Sequence, residues 1–337
     1  MFDTDMLQHT LSQGERMAAP LPQRLSHTLA DGTHVSMQWP GILWVEPASP
    51  AEHDVVLSAG VHGNETAPIE LLNELVTALL EGQFSCRQRL LVLFGNPAAM
   101  CQGQRELKLN MNRLFCGAHR RYEGEEAMRA ALLEQTVEAF FAQPDRRRCH
   151  YDLHTAIRDS RREKFAVYPF RHGRPWKRSQ LAFLARCGVD TALLSHAPTT
   201  TFSYFSSDRF DADAFTVELG KVRPFGQNDL SRLAALRQEL VALLSHRQSE
   251  SSPPAPITVF DVAQTIIKRS EAFRLNFADD TANFTEFKPG ALLAQDGELA
   301  HRVGEQTEAI VFPNAHVALG QRACLTVVPV GDEQPFE

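Results

Sequence analysis

Apolar blocks alternate with amphipathic stretches along most of the chain. Residues 55–59 and 89–94 are short apolar blocks that each end at a glycine, and between them apolar residues recur from Ile69 to Leu79 at helical spacing. Short apolar blocks that end at turn residues predict buried strands. A strand, a helix and a second strand in this order predict a βαβ unit whose strands pair in parallel.

The same alternation continues to about residue 247 and predicts an α/β sheet. A turn at residues 30–33 and a strand at 41–45 precede the βαβ unit in the predicted order. Further strands are predicted at residues 149–153, 165–168, 191–194 and 214–217, and further helices at residues 125–141, at 177–187 and after the capping residue Asp229.

Residues 248–256 interrupt this alternation with a run of Ser and Pro that has the composition of a linker. Beyond this run, short β-prone segments separated by Gly, Asn and Asp predict a small, mostly β domain. We therefore predict an α/β domain with an N-terminal extension at residues 1–247 and a mostly β domain at residues 257–337.

Composition narrows the class of protein. Hydrophobic residues make up 43% and charged residues 22% of the chain, which is ordinary for a soluble globular protein. No apolar run approaches the ~20 residues of a membrane helix, and a formal net charge of -7 argues against a nucleic-acid partner. The six cysteines form no C-x-x-C pair, and the first residues are acidic where a signal peptide is basic. We expect a cytoplasmic protein with reduced thiols.

His62 and Glu65 lie in the turn after the strand at 55–59, flanked by Gly60 and Gly63. An imidazole and a carboxylate at this spacing can bind one divalent metal ion. The glycines suit a backbone that turns sharply and approaches other groups closely, and open α/β sheets bind ligands at such strand ends. A chain with 13 His and 41 Asp and Glu also produces such pairs by chance, so the pair alone does not establish a metal site.

His154 directly follows the predicted strand at residues 149–153 and is the candidate third ligand. If the two strands are parallel neighbours, His154 lies at the same edge of the sheet as His62 and Glu65. Three protein ligands with one open position are typical of a catalytic zinc site. Asp152 lies on the same strand face two residues earlier and could orient a ligand, with an ordinary strand-end carboxylate as the alternative.

Two further stretches carry residues suited to catalysis and substrate binding. Glu218 ends an apolar strand, where a carboxylate is costly to desolvate unless a site uses it, and we predict that it is the general base. A structural strand-end Glu is the alternative. Polar and apolar residues follow no regular period over residues 103–115, which predicts a loop over the sheet. In this loop, Asn112 and Arg113 offer an amide and a planar guanidinium for a substrate carboxylate.

Four motifs together resemble the succinylglutamate desuccinylase/aspartoacylase family, which is similar in fold to the zinc carboxypeptidases. Their order and approximate separation match those of the family. The resemblance implies a mixed central sheet flanked by helices, with a smaller C-terminal part. The motifs are residues 60–65 with the H-x-x-E spacing, residues 110–115, residues 152–154 and residues 217–220.

The resemblance also implies a role for individual residues. His62, Glu65 and His154 match the ligands of one Zn²⁺ ion per chain, and Glu218 matches the catalytic carboxylate. Arg105 matches the arginine that polarises the scissile carbonyl. Asn112 and Arg113 match the pair that holds a substrate carboxylate.

Within the family, residues 95–97, 105–115 and 215–226 resemble the branch that hydrolyses the amide bond of N-succinylglutamate in arginine catabolism, through the arginine succinyltransferase pathway. The expected partner is therefore a small-molecule N-acyl amino acid, and a homo-oligomer is left open. Two alternatives remain: an aspartoacylase-like or carboxypeptidase-like amidohydrolase with another substrate, and a non-catalytic zinc-binding relative. The part after residue 256 is expected to wall the pocket.

Overall fold

A computed structural model describes residues 5–249, 257–330 and 336–337. Seven α-helices and sixteen β-strands form within these residues. The helices are α1 (Met6–Ser12), α2 (Thr66–Leu80), α3 (Pro97–Gln102), α4 (Glu125–Phe140), α5 (Arg178–Arg186), α6 (Phe202–Phe210) and α7 (Ala234–Leu244).

The strands occur in three groups along the chain. The first five strands are β1 (Leu25–Thr28), β2 (His34–Trp39), β3 (Ile42–Glu46), β4 (His53–Ala59) and β5 (Arg89–Phe94). The next four are β6 (Arg147–Ala156), β7 (Lys164–Tyr168), β8 (Thr191–Leu194) and β9 (Asp213–Lys221). The last seven are β10 (Thr258–Ile267), β11 (Arg274–Leu275), β12 (Thr285–Phe287), β13 (Leu292–Asp296), β14 (Leu299–Arg302), β15 (Glu308–Val311) and β16 (Arg322–Pro329).

One large mixed sheet organises the described residues. Its thirteen strands run in the order β1-β2-β3-β5-β4-β6-β9-β7-β8-β10-β16-β15-β12, and β11, β13 and β14 form a separate small sheet. Strands β5, β4, β6 and β9 are parallel neighbours, whereas β7 runs antiparallel to β9. The predicted α/β fold with a mixed central sheet and a smaller β part is therefore confirmed.

Both faces of the central sheet are covered by helices. Along β4, Val55 and Leu57 belong to the apolar cluster that contains the buried face of α2, whereas Val56 belongs to the cluster that contains α4. A strand buried on both faces needs apolar residues at successive positions, as the sequence of β4 provides. Full burial of one such side chain contributes about 1.5–3 kcal/mol.

Four of the seven strands after residue 256, β10, β12, β15 and β16, extend the same sheet, and residues 257–330 are called here the C-terminal β unit. Strand β10 pairs in parallel with β8, with Thr258 opposite Thr191. An apolar cluster joins the two parts, with Phe165 from β7 and Leu193 from β8 packed among side chains of the C-terminal β unit. The division into domains at 1–247 and 257–337 stays a prediction, and residues 250–256 of the predicted linker lie outside the described residues.

Arg129 of α4 is buried and holds three separate segments together. Its guanidinium donates to the carbonyl oxygens of Met17, Pro40, Phe94 and Gly95 at distances of 2.5 to 2.9 Å. Burial lowers the pKa of Arg129 to about 9. These bonds tie the N-terminal segment and the turn after β2 to the end of β5, beside the candidate site.

Most predicted elements are found, with several differences. Strands β6 and β9 continue past their apolar runs, because their later residues still pair with each other, so His154 and Glu218 lie inside strands instead of after them. Helices α1, α3 and α6 and strands β11 and β14 were not predicted. The stretch 103–115 is a loop, as predicted, apart from a short 3-10 turn at Met111–Arg113. No described helix combines the length and apolar content that crossing a membrane requires.

Candidate active site

The parallel strands β4, β6 and β9 end at the same edge of the sheet, and the candidate catalytic residues lie there. Ala59 pairs with Leu153 across β4 and β6, and His154 pairs with Glu218 across β6 and β9. The turn with His62 and Glu65 follows β4 directly. The predicted convergence of these residues at one edge is therefore found.

Two glycines shape the turn after β4. Gly60 has a φ of +67°, a left-handed conformation that favours glycine. A Cβ atom on Gly63 would lie 2.3 Å from the backbone of Ala99 and Met100 in α3, so only glycine allows this approach. The backbone N–H of Gly63 also donates to the carbonyl oxygen of Arg105 at 3.0 Å. The sharp turn and close approach predicted from these glycines are confirmed.

His62, Glu65 and His154 form a buried cluster whose ligand atoms all lie within 4.8 Å of one another. The Nδ1 atom of His62 lies 2.8 Å from Oε1 of Glu65, and the Nδ1 atom of His154 lies 2.8 Å from Oε2. Both imidazole rings therefore direct the same ring nitrogen toward one carboxylate. Glu65 occupies the N-cap position of α2, but its side chain makes no hydrogen bond to that helix and instead points to the cluster.

The other ring nitrogens have acceptors of their own. Nε2 of His62 donates to Oδ1 of Asn110 at 3.1 Å, and Nε2 of His154 donates to Oδ2 of Asp152 at 3.0 Å. A neutral imidazole that donates from Nε2 keeps a lone pair on Nδ1. Two such lone pairs that face carboxylate oxygens require a positive charge between them. Histidine ligands in metal sites have this arrangement, with the second nitrogen fixed by a carboxylate or a carbonyl-type oxygen.

The charges around His154 favour a cation at this point. Although burial opposes the effect, the carboxylates of Asp152 and Glu65 raise the pKa of His154 well above its ordinary value. Burial lowers the pKa of His62. The chemistry of the donor set, two imidazoles and a carboxylate, fits a divalent metal ion, which would supply the positive charge in place of protons.

A buried chain of hydrogen bonds supports Asp152 from behind. Its Oδ1 atom accepts from the Ser58 hydroxyl at 2.6 Å, and Nε2 of His150 donates to the same hydroxyl at 2.8 Å. Nδ1 of His150 then accepts from the Ser206 hydroxyl of α6 at 2.7 Å. Burial lowers the pKa of His150 to about 4, in keeping with a neutral ring that donates only once. The orientation of His154 is thereby linked to α6.

Glu218 is a buried carboxylate with one oxygen left unbonded. Its Oε2 atom has no hydrogen-bond partner among the described residues. Burial and the charge of Glu65 raise the pKa of Glu218 to about 7. An unsatisfied buried carboxylate oxygen is costly and rare in a protein that does not use it.

Arg105 reaches the cluster from a loop held by Glu126. Its Nη1 atom donates to Oε1 of Glu65 at 2.6 Å. The two carboxylate oxygens of Glu126, in the first turn of α4, accept from the backbone N–H groups of residues 107–109 at 2.6 to 2.9 Å and from the side chain of Asn96. Glu126 therefore fixes the loop that carries both Arg105 and Asn110.

Asn112 and Arg113 lie in the same loop. Asn112 is buried, and its Oδ1 atom accepts from the backbone N–H of Phe202, at the beginning of α6, at 3.1 Å. Nη1 of Arg113 donates to the carbonyl oxygen of Asn112 at 2.8 Å, and the Arg113 side chain is exposed to solvent. Asn112 is thus fixed, whereas Arg113 retains donors for another group.

Several residues of the site were missed from the sequence. Asn110 belongs to the same motif as Asn112 and Arg113, and its bond to His62 could have been suggested by that proximity. An acidic residue in the first turn of a helix, such as Glu126, usually only stabilises the helix, so no local signal marked its role. Ser58 and His150 are strand residues whose contacts depend on the pairing of β4 with β6.

Known proteins match this chain along nearly its whole length. Residues 51–244 match the family model described as the succinylglutamate desuccinylase/aspartoacylase catalytic domain, and residues 255–330 match the AstE/AspA barrel-sandwich hybrid domain. The chain is 53% identical over 313 residues to a succinylglutamate desuccinylase of Idiomarina loihiensis, with 91% of each chain covered. It is 47% identical to that of Shewanella frigidimarina, with 99% of this chain and 98% of the relative covered.

A solved structure also matches nearly the whole length of this chain. The crystal structure of the succinylglutamate desuccinylase from Chromobacterium violaceum is 42% identical to this chain and has a TM-score of 0.87. The match covers 99% of this chain and 100% of that one. The similarity therefore includes both the central sheet and the C-terminal β unit.

Proposed function

This chain belongs to the succinylglutamate desuccinylase/aspartoacylase family, and we propose that it is a zinc-dependent hydrolase that cleaves the amide bond of N-succinylglutamate into succinate and glutamate. The names of its relatives support a hydrolase with this substrate. The resemblance of the motifs supports a place in arginine catabolism. One observation carries the proposal: two buried imidazoles direct Nδ1 at the carboxylate of Glu65, with Nε2 of each ring already bonded.

We assign the metal to His62, Glu65 and His154. Two His and one Glu are the donor set of catalytic zinc sites that keep a fourth position for water or substrate. Zinc, when bound, supplies Lewis acidity that polarises a carbonyl and makes water a stronger acid.

The remaining groups of the site have complementary roles. Glu218 takes a proton from the attacking water at its free Oε2 atom and later delivers it to the leaving amine. Arg105 places a guanidinium beside Glu65, where it can stabilise negative charge that develops on the scissile carbonyl oxygen. Arg113 and Asn112 bind a substrate carboxylate, Arg113 through its guanidinium and Asn112 through the N–H groups of its side-chain amide, whose Oδ1 atom accepts from Phe202.

Release of glutamate from N-succinylglutamate by the purified chain tests this proposal. We expect turnover that is lost after dialysis against a chelator and restored by Zn²⁺. N-acetylaspartate and a dipeptide, assayed in parallel, are expected to be poorer substrates. Full activity after removal of all metal would contradict the metal assignment, and faster hydrolysis of N-acetylaspartate or the dipeptide would favour the alternative amidohydrolases.

Asp152→Asn is expected to weaken zinc binding by about 10- to 100-fold. The carboxylate that accepts from Nε2 of His154 fixes the ring and makes it a better ligand, and an amide does this less well. The measurement is a competition between the protein and a chelator of known affinity. Asp190→Asn, at an exposed position beside β8, is the control and should bind zinc like the wild type. Equal affinities for both variants would show that Asp152 does not support the ligand.

Arg113→Ala is expected to raise KM for N-succinylglutamate about 10- to 100-fold with a smaller change in kcat. A hydrogen-bonded charge pair of this kind contributes to substrate binding in the ground state as well as in the transition state. Steady-state kinetics measure the effect. Arg121→Ala removes an exposed arginine of the following turn and serves as the control. A loss confined to kcat would argue for a different role of Arg113.

A further inference from the structure

The C-terminal β unit contacts the loop that follows the strand of His154. Ser160 forms an isolated parallel bridge with Asn283. The backbone N–H of Arg161 donates to the carbonyl oxygen of Asn283, and the N–H of Asn283 donates to the carbonyl oxygen of Asp159, each at 2.9 Å. The C-terminal β unit is therefore fixed within a few residues of a candidate metal ligand.

Two aromatic rings, Phe312 and Phe165, lie between Arg322 of β16 and the edge of the sheet that carries the candidate site. Its guanidinium carbon lies 5.6 Å from the centre of the Phe312 ring, and this ring lies 5.7 Å from the ring of Phe165. Phe165 is the strand partner of Glu218 across β7 and β9. Two packed rings thus separate the Arg322 guanidinium from the strand position of Glu218.

An irregularity in the sheet determines the direction of Arg322. Ile266 of β10 pairs with Cys324 and Ile267 pairs with Arg322, so β16 carries one extra residue, Ala323, at this point. Such a bulge redirects the side chains beside it and is common next to active sites. Phe312, which supports Arg322, has a left-handed φ of 53° and is held by a bond from its N–H to Oδ1 of Asn283 at 2.8 Å.

Neither Arg322 nor Arg113 forms an ion pair with a carboxylate in the part of the chain that the structure describes, although the charge of Glu106 opposes the lowering of the Arg113 pKa. Arg113 is exposed, yet protein surrounds it closely enough that burial, then the charges of Arg322 and Arg105, lower its pKa to about 10. Burial also lowers the pKa of Arg322. At Arg113 the charges of Arg322 and Arg105 outweigh that of Glu106, and such an excess of positive charge favours an anion.

We propose that Arg322 is a specificity-determining residue that binds a second carboxylate of the substrate, other than the one at Arg113. This inference rests on the proposed function, because N-succinylglutamate has three carboxylates and one arginine can pair bidentately with only one of them. The C-terminal β unit would then contribute a residue to substrate binding, because Arg322 supplies a positive charge that the α/β part of the site does not. A monoanionic N-acyl amino acid would leave Arg322 unpaired and bind less well.

The test combines two variants with four substrates. Arg322→Ala and Arg322→Lys are assayed with N-succinylglutamate and with three analogues that each lack one carboxylate: N-butyrylglutamate, N-succinylglutamine and N-succinyl-4-aminobutyrate. We expect Arg322→Ala to lower kcat/KM for N-succinylglutamate roughly 10- to 100-fold, as for the loss of a charge-assisted hydrogen bond. Arg322→Lys should recover part of the loss. One of the three analogues lacks the carboxylate that Arg322 binds. On this analogue, Arg322→Ala and the wild type should have nearly equal kcat/KM.

Arg269→Ala is the matched control, since it removes an exposed arginine from the same unit with the same change in net charge. It should retain wild-type kinetics on every substrate. An equal loss of kcat/KM on all four substrates would mean that Arg322 only supports the fold, and no loss on any would remove it from the site. If the wild-type chain hydrolyses none of the four, the proposed function itself is wrong and this assignment falls with it.

Discussion

Glu218→Gln should lower kcat for N-succinylglutamate by about 10²- to 10⁴-fold, the usual contribution of a positioned acid–base group. Glutamine has nearly the same shape but cannot accept a proton from water, so substrate and metal should still bind. The carboxylate is buried, with Oε2 unbonded beside the strand of His154. The measurement is kcat together with the zinc content of each purified variant.

Glu286→Gln, at an exposed position of β12, is the control for the loss of one carboxylate and should keep normal turnover. Glu218→Asp tests whether the distance of the carboxylate from the reacting atoms matters. Aspartate keeps the carboxylate but is one methylene shorter, so partial activity is expected. If Glu218→Gln keeps more than about a tenth of the wild-type kcat, another group must accept the proton.

Arg129→Met should lower the free energy of unfolding by about 3–5 kcal/mol, a large part of the stability of a typical domain. Methionine fills much of the space but leaves the carbonyl oxygens of Met17, Pro40, Phe94 and Gly95 without their buried donor. Denaturation with urea, followed by fluorescence and circular dichroism, measures the change. The C-terminal β unit makes none of these bonds and contains no Trp, so fluorescence follows the rest of the chain while circular dichroism follows all of it. Coincident transitions would show that the whole chain unfolds together.

Arg121→Met replaces an exposed arginine near the same helix and should change the stability by less than about 0.5 kcal/mol. A change below about 1 kcal/mol for Arg129→Met would show that water or a rearranged backbone satisfies the carbonyl oxygens. In that case Arg129 would be one contact among many in this region.

The sequence was sufficient to predict the edge of the sheet where the candidate site lies. Apolar runs specify β4 and β6, and a parallel arrangement necessarily brings the ends of both strands to one edge. His62, Glu65 and His154 follow from that geometry because each lies at or near the end of such a run. The assignment of zinc, of the general base and of the substrate contacts stays a prediction until the variants are measured.

Other parts of the fold depend on contacts that no local pattern contains. Helix α6 has six consecutive buried residues, from Phe202 to Ser207, and three of them are serines, so its polar and apolar positions do not separate into an exposed and a buried face. Strands β6 and β9 extend past their apolar runs because each is the other's neighbour. The role of Glu126 depends on backbone N–H groups of residues 107–109, which only the folded loop brings to it.

The parallel pairing of β8 with β10 has a consequence for synthesis on the ribosome. All four residues of β8 are buried, yet the strand that covers its outer edge is made much later. Until then a nascent chain presents an unpaired apolar edge, the kind of surface that recruits other strands or a chaperone. A polypeptide cut after residue 249 would keep that edge permanently, so we expect it to precipitate instead of yielding a smaller working enzyme.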